Sequence, residues 1–371
     1  MRFPEFNEKY SKCKIIDVAN VIGGGTPETL NENFWNGGIN WFTPTEVGHI
    51  KYVTNSNRTI SKEGLYNSSA KILPIGSILF SSRATIGEMS INLIETATNQ
   101  GFQSLIINSR NSNEYFYYLL HTLKRQFIKQ ACGSTFPEIS NSEVSKTEIR
   151  IPKIQEQQKI ADFLSLIDKR IDTQTKIIED LEYQIKWIKV KFFNSYINCN
   201  SYQFNNLFFE YKKLNNLAYK QYTIGKYGIK ELNYDSNLYT TNKHIIFEPN
   251  TLILGIGIEE IGVSDELFGC CSPIYKTFCI NNQIINTCWF YYFASMYFDK
   301  IKRFVTQKST RREFEFDYKA LNIIKFSIPT LDIQKIHCNL LNFISTKIQK
   351  EKDILELYKK QKAYLLKNMF I

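Results

Sequence analysis

The sequence predicts a mixed α+β protein: two globular domains in a pseudo-twofold arrangement, separated by two long antiparallel coiled-coil helices. Three observations predict it. First, IRIPKIQEQQKIADFLSLIDKRI (149–171) is echoed 177 residues later by FSIPTLDIQKIHCNLLNFISTKI (326–348), without a gap. Ile151-Pro152 falls on Ile328-Pro329, Gln157 on Gln334, Leu164 on Leu341 and Phe193 on Phe370. Second, no Pro or Gly interrupts 153–194 or 330–371, as a long helix requires. Third, apolar residues recur there in alternating steps of four and three, which is the seam of a coiled coil.

Residues 1–150 make the first block. LPIGSILFSSRATIGEMS (73–90) reads as a strand, a turn and a strand, followed by TATNQGFQSLIIN (96–108) and the aromatic helix NEYFYYLLHTLKRQFIKQ (113–130). Short β-branched runs, Gly/Asn turns and one amphipathic helix predict a compact mixed domain. Residues 151–198 hold the first long helix. Its seam runs Ile160, Leu164, Ile167, Ile171, Gln174, Ile178, Leu181, Ile185, Ile188, Phe192, with one polar member.

Residues 199–328 repeat the order of the first block. FEPNTLILGIGIEEIGVSDE (247–266) is again strand, turn and strand; CCSPIYKTFCIN (270–281) and the aromatic TCWFYYFASMYFDKIKRFV (287–305) follow. Residues 329–371 hold the second long helix, whose weaker seam runs His337, Leu341, Ile344, Ile348, Glu351, Leu355, Tyr358, Lys362, Leu365, Met369. Its polar step is Glu351, the counterpart of Gln174. A helix of about 40 residues is roughly 60 Å long and needs its stripe covered. The other copy is the cheapest cover, and a pseudo-twofold axis lays the two antiparallel. Gln174 and Glu351 are then expected to meet near the waist and fix the register. The order of elements is shared while loop side chains differ, which is the layout of a reader with two heads.

Composition bounds the function. A chain of 371 residues, 43% hydrophobic and 22% charged, is long enough for two domains with real cores. The net charge of +10 is spread as +2, +1, +3 and +4 over the four segments, so a polyanionic partner is indicated without a basic tail. Eight cysteines form no C-x-x-C pair and the four histidines are scattered; these spacings offer no zinc site. The most apolar run, CWFYYFASMYF (288–298), is too short to span a membrane. MRFPEFNEKY has no signal-peptide core, so the cytoplasm is expected.

Catalytic motifs are missing. There is no Gly-rich cofactor loop paired with an Asn/Asp-Pro-Pro-aromatic motif, as an amino-methyltransferase needs, and no G-x-x-x-x-G-K-[ST] for ATP. LGIG (254–257) is a lone G-x-G in an apolar strand, and GGG (23–25) reads as a loop letting backbone approach a partner closely. DYK (317–319) is a faint echo of a metal-dependent nuclease pattern and has no upstream Pro-Asp.

The motifs IPKIQEQQKIADFLSLID, SSRATIG with TNQGF, GSTFPEIS (133–140) and GGGTPETLNENFWNGGINWFTPTEV (23–47) resemble the specificity subunits of type I DNA restriction–modification enzymes, over nearly the whole chain. The resemblance implies that each block is a target-recognition domain reading one half of a split target in double-stranded DNA. It implies that the helices set the gap and dock two modification (methyltransferase) subunits, with restriction (translocase–nuclease) subunits joining that core. The chain itself would then be non-catalytic and hold no cofactor. S-adenosylmethionine, ATP and Mg would belong to the partners. The second block departs from the pattern, with KSTRREFEF (308–316) for GSTFPEIS and SPIY (272–275) for NQGF.

For recognition, Lys and Arg serve phosphates, Arg reads guanine and Asn/Gln reads adenine. The candidate DNA contacts are Trp41, Thr43, Arg83, Asn99 and Gln100 in the first block and Lys226, Tyr227, Lys308, Arg311 and Arg312 in the second. Trp41 also reads as core, Asn99-Gln100 as a turn, and Arg311-Arg312 as a solvated face. Ile177, Trp187 and Tyr364 are candidates for partner contact or for packing on the adjoining block. Two rival readings stand beside this one: a self-sufficient methyltransferase or nuclease with an unrecognised site, and a helical scaffold whose blocks bind protein.

Overall fold

The computed structural model describes residues 1–133, 137–194, 199–215, 219–225, 228–232, 244–255, 261–298, 306–307, 315–316 and 318–370. Its contacts divide the chain into two units, Met1–Thr175 with Ile354–Ile371, and Lys176–Asp353. Both cuts fall inside the long helices, Ile154–Phe193 and Leu331–Met369, whereas the sequence places its divisions where those helices begin. The reason is packing: each half of a long helix buries its seam in the core of one unit.

In the first unit a five-stranded sheet runs in the order Ala19–Gly23, Gln103–Ile107, Ile78–Phe80, Met89–Asn92, Tyr52–Val53. Its pairs are antiparallel except the last. Ile78–Phe80 is buried at every position because both faces are covered. Ile78 and Phe80 face the core under the aromatic helix, and Leu79 faces a second core with Phe42 and Phe102. The aromatic helix is Asn113–Gln130, capped by the Ser112 hydroxyl, and buries Tyr115, Phe116, Tyr118 and Phe127. Ile160, Leu164 and Ile167 of one long helix share that core with Leu365 and Met369 of the other. Asp168 pairs with Lys362 at 2.6 Å. Sequence numbers rise along one helix as they fall along the other, so the helices are antiparallel.

The second unit repeats this plan with its own residues. A four-stranded sheet runs Phe208–Tyr211, Lys276–Ile280, Thr251–Leu254, Ile261–Ser264. Among the described residues, this is the order of the first four strands of the first sheet. In each block a two-stranded antiparallel ribbon precedes the long helix: Ser11–Lys14 with Glu148–Ile151, and Cys199–Gln203 with Lys325–Pro329. The second aromatic helix is Thr287–Phe293 and continues as a π-helical turn to Phe298. Within this unit the long helices are again antiparallel. Glu182 pairs with Lys352 at 2.7 Å, and Phe192 stacks on His337 at 3.7 Å. The polar members of the weaker seam are thus used, His337 as a flat ring partner and Lys362 as an ion-pair partner.

The same aromatic contact closes both units. Phe193 packs edge-on against Trp289 at 5.4 Å, and its repeat counterpart Phe370 lies tilted against Tyr115 at 5.2 Å. The blocks differ in their second sheet. Among the described residues the first has three strands, Arg58–Ile60, Trp35–Phe42 and Thr96–Thr98; the second has five, Lys213–Asn215, His244–Phe247, Gly269–Cys271, Gln221–Gly225 and Gly228–Glu231. Among the described residues no helix is long and apolar enough to cross a membrane, and no three His, Cys, Asp or Glu are placed to hold a metal ion.

Candidate nucleic-acid interface

Four segments of the first block converge around its second sheet: Gly24–Thr26, Thr43–Glu46, Ser82–Ala84 and Asn99–Gly101. Backbone bonds tie them together. Gly25 N–H donates to the Thr98 carbonyl at 2.9 Å, Asn99 N–H to Phe42 at 3.1 Å and Ser82 N–H to Gly101 at 2.8 Å. Glycine is required at the crossing. A Cβ on Gly24 would overlap the Asn99 carbonyl oxygen, and one on Gly25 would overlap the Ser69–Ala70 backbone. The close approach that the GGG motif permits is therefore made to the protein's own chain.

Within this cluster Gln100 is exposed and accepts the Thr26 hydroxyl's hydrogen bond. Arg83 is exposed and its Nε donates to Glu138 at 2.8 Å. An exposed pair of this kind is worth about 0–1 kcal/mol, so the guanidinium is easily released. Three candidates also have a place in the fold, Trp41 in the core and half-buried Thr43 and Asn99 in turns. Trp41 is 4% exposed, and its indole N–H donates to the Gly25 carbonyl at 2.9 Å. It packs in a small core, its ring edge to face with that of Trp35 at 5.2 Å, and its N–H holds the glycine loop. Thr43 caps a 3₁₀ turn, its hydroxyl donating to Glu46 at 2.6 Å. Asn99 holds its turn by accepting Gly101 N–H at 2.8 Å. Lys226, Tyr227, Lys308, Arg311 and Arg312 lie outside the described residues.

Sequence reasoning missed Arg58. It is exposed, and its guanidinium lies 3.5 Å above the Trp35 ring. The only signal available was an arginine in a β-branched run (Arg58-Thr59-Ile60), which does not reveal an indole beneath it.

A polar network couples the first block to the long helix. Lys51 Nζ donates to the Tyr118 hydroxyl at 3.0 Å and to Ser165 at 2.9 Å, and it pairs with Glu114. The Tyr118 hydroxyl donates to Asp168 at 2.6 Å. Burial, then the Asp168 bond, pushes the phenol pKa far up, so it stays a donor. In the second unit Tyr292 plays this part, donating to Asn342 at 2.7 Å and lying 3.3 Å from Ser345. Gln174 is buried in the first unit and Glu351 half-buried in the second. Ile177, Trp187 and Tyr364 are 38%, 54% and 58% exposed, so none is packed into a core.

Residues 7–183 match the family described as the type I restriction modification DNA specificity domain. The matched residues make up just under half of the chain. The chain is similar to the MjaIX type I restriction enzyme specificity subunit of Methanocaldococcus jannaschii, with 39% identity over 173 residues; the match covers 46% of this chain and 40% of the relative's length. In fold, the chain is similar to the S subunit of the type I restriction-modification system of M. genitalium, with a TM-score of 0.59 and 16% identity over 100% of this chain and 99% of that one. It is also similar to a chain from a structure on complex assembly and conformational transition of the type I R-M system, with a TM-score of 0.62 and 12% identity over 99% and 98%. At such identities these two likenesses bear on the fold alone. The family that the motifs resemble is the family found for residues 7–183. The specificity-domain match ends before the second block, whose loop sequences differ most.

Proposed function

We propose that the chain is the non-catalytic DNA-specificity subunit of a type I restriction–modification complex. Each block reads one half of a bipartite, gapped target in double-stranded DNA. The antiparallel helices set the gap. The observation that carries this reading is a specificity domain over residues 7–183 whose central sheet order recurs in the second block, while the second sheets differ. A shared scaffold with unlike reading surfaces suits two unlike half-sites.

Two modification subunits and the restriction subunits dock on the helices, where exposed Ile177, Trp187 and Tyr364 offer apolar contact. S-adenosylmethionine, ATP and Mg are used by those partners in the cytoplasm. Lys226, Tyr227, Lys308, Arg311 and Arg312 serve DNA in the second block, as Gln100 and Arg83 do in the first.

The test is the modified-base map of the native host with and without this gene. A split adenine motif that loses methylation in the deletion is expected. An unchanged map, with no methyltransferase copurifying with the chain, would refute the proposal.

A further inference from the structure

We propose that Arg58 is the base-reading arginine of the first block, presented to a guanine edge by the Trp35 ring; this rests on the DNA-reading function above. Asn36 (φ 61°) and Gly38 (φ 85°) adopt left-handed backbone and form a bulge that sets both Trp35 and Ile39 opposite Ile60. The bulge brings Trp35 against Trp41, ring edge to ring face. Each indole is then pinned by its own N–H, Trp35 to the Glu28 carbonyl at 3.2 Å and Trp41 to Gly25 at 2.9 Å. Arg58 is the cross-strand neighbour of Trp41. Its Cζ sits 3.5 Å over Trp35 and 5.8 Å from Trp41.

A guanidinium lying on a ring face keeps its N–H fork free at the rim and loses rotamer freedom before it binds. That is the preparation a bidentate contact to guanine needs. Arg58 is exposed and makes no ion pair or side-chain hydrogen bond with the described residues, whereas Arg83 is engaged by Glu138. It lies on an edge strand of the sheet that differs between the blocks. Its neighbour Asn57 donates its N–H to Glu46 at 2.6 Å, and the Trp41 beside it holds Gly25, so it borders the converging loops.

The test uses the full chain purified with its methyltransferase partner and a randomised DNA duplex pool, comparing wild type, Arg58→Ala, Arg58→Lys and Arg83→Ala. Arg58→Ala should flatten the preference at one guanine in one half-site and weaken binding to the preferred duplex about tenfold. The other half-site should be unchanged. Arg58→Lys keeps the charge without the planar fork, so it should lose the same preference and keep the salt dependence. Arg83→Ala should keep that guanine. An unchanged preference in both Arg58 variants overturns the proposal. So does an equal loss on every sequence, which marks a phosphate contact, or a lower unfolding temperature with preference intact, which marks a shield for Trp35. A wild-type complex that selects no split motif instead overturns the DNA-reading function, and this proposal with it.

Discussion

Gln157 and Gln334, 177 residues apart in the sequence, hold the same post in the two units. Gln157 donates to the Pro152 carbonyl at 2.9 Å and accepts Ser112 N–H at 3.0 Å. Gln334 donates to the Pro329 carbonyl at 2.8 Å and accepts Asn286 N–H at 2.7 Å. Ser112 and Asn286 are the N-caps of the aromatic helices, and the prolines close the Ile-Pro steps. One buried amide therefore joins a block's aromatic helix to the long helix that follows it. Gln157→Leu strands buried polar groups at a cost of about 1–3 kcal/mol each. Gln334→Leu should cost about as much. Thermal unfolding reads the loss, and amide hydrogen exchange should localise each to its own unit.

Asp168 and Glu182 test how much an ion pair depends on its surroundings. Asp168 faces Lys362 at 18% and 30% side-chain exposure and also receives Tyr118. Glu182 faces Lys352 with about half of each side chain exposed. Asp168→Asn should cost about 1.5–3 kcal/mol, as loss of charged hydrogen bonds does. Glu182→Gln should cost less than about 1 kcal/mol. Chemical denaturation of both variants decides it; equal losses would show that Tyr118 adds nothing.

His121 gives a pH dependence with a defined sign. Burial is the main cause that lowers its pKa from 6.5 to about 4, with the Lys362 charge next. The unfolded chain therefore takes up the proton first. This residue's effect is absent above about pH 6.5, and stability falls as pH drops from there towards 4. Carboxylates also titrate near the lower end, so the comparison is with His121→Gln. The variant should lose less stability than the wild type between pH 6.5 and 5 in thermal melts.

Gly24 and Trp41 hold the converging loops from two sides. Gly24→Ala places a Cβ on the Asn99 carbonyl and should displace the Asn99–Gly101 turn. DNA affinity should fall more than global stability. Trp41→Phe keeps most of the apolar volume and loses the Gly25 hydrogen bond, at about 1 kcal/mol. Unfolding curves and DNA titrations on the same preparations separate the two effects. Unchanged DNA binding in Gly24→Ala would detach this cluster from recognition.

The helices act as a ruler under the proposed function. Adding about four residues to each long helix lengthens it by roughly 6 Å, close to two steps of about 3.4 Å along a DNA strand. The unspecified gap should widen while both half-sites stay the same. Methylation mapping reads this directly; altered half-sites with an unchanged gap would defeat the ruler.

Much of the architecture was legible because it rests on periodicity. The Ile-Pro repeat, the four-and-three seam and the two aromatic helices are local patterns, and each appears as an element of the structure. The seam's polar members were legible as exceptions but not as contacts, since the partners of His337 and Lys362, Phe192 and Asp168, are distant in sequence. The loop candidates fared differently. Trp41, Thr43 and Asn99 are residue types suited to bases, and each also holds a loop: Trp41 is buried, and Thr43 and Asn99 are half-buried in turns. Nothing local separates a tryptophan that faces DNA from one that faces a glycine carbonyl.

The sequence by itself determined the duplication and the long paired helices, because an ungapped repeat and a helix period are properties of order along the chain. Only the tertiary structure decided which side chains remain available. A bulge at Asn36–Gly38 turns Trp35 under Arg58, and Glu138 holds Arg83 in an exposed, readily broken ion pair. Both outcomes depend on strands and loops brought together across long sequence separations, where burial and partner geometry, not residue type, set what each group can do.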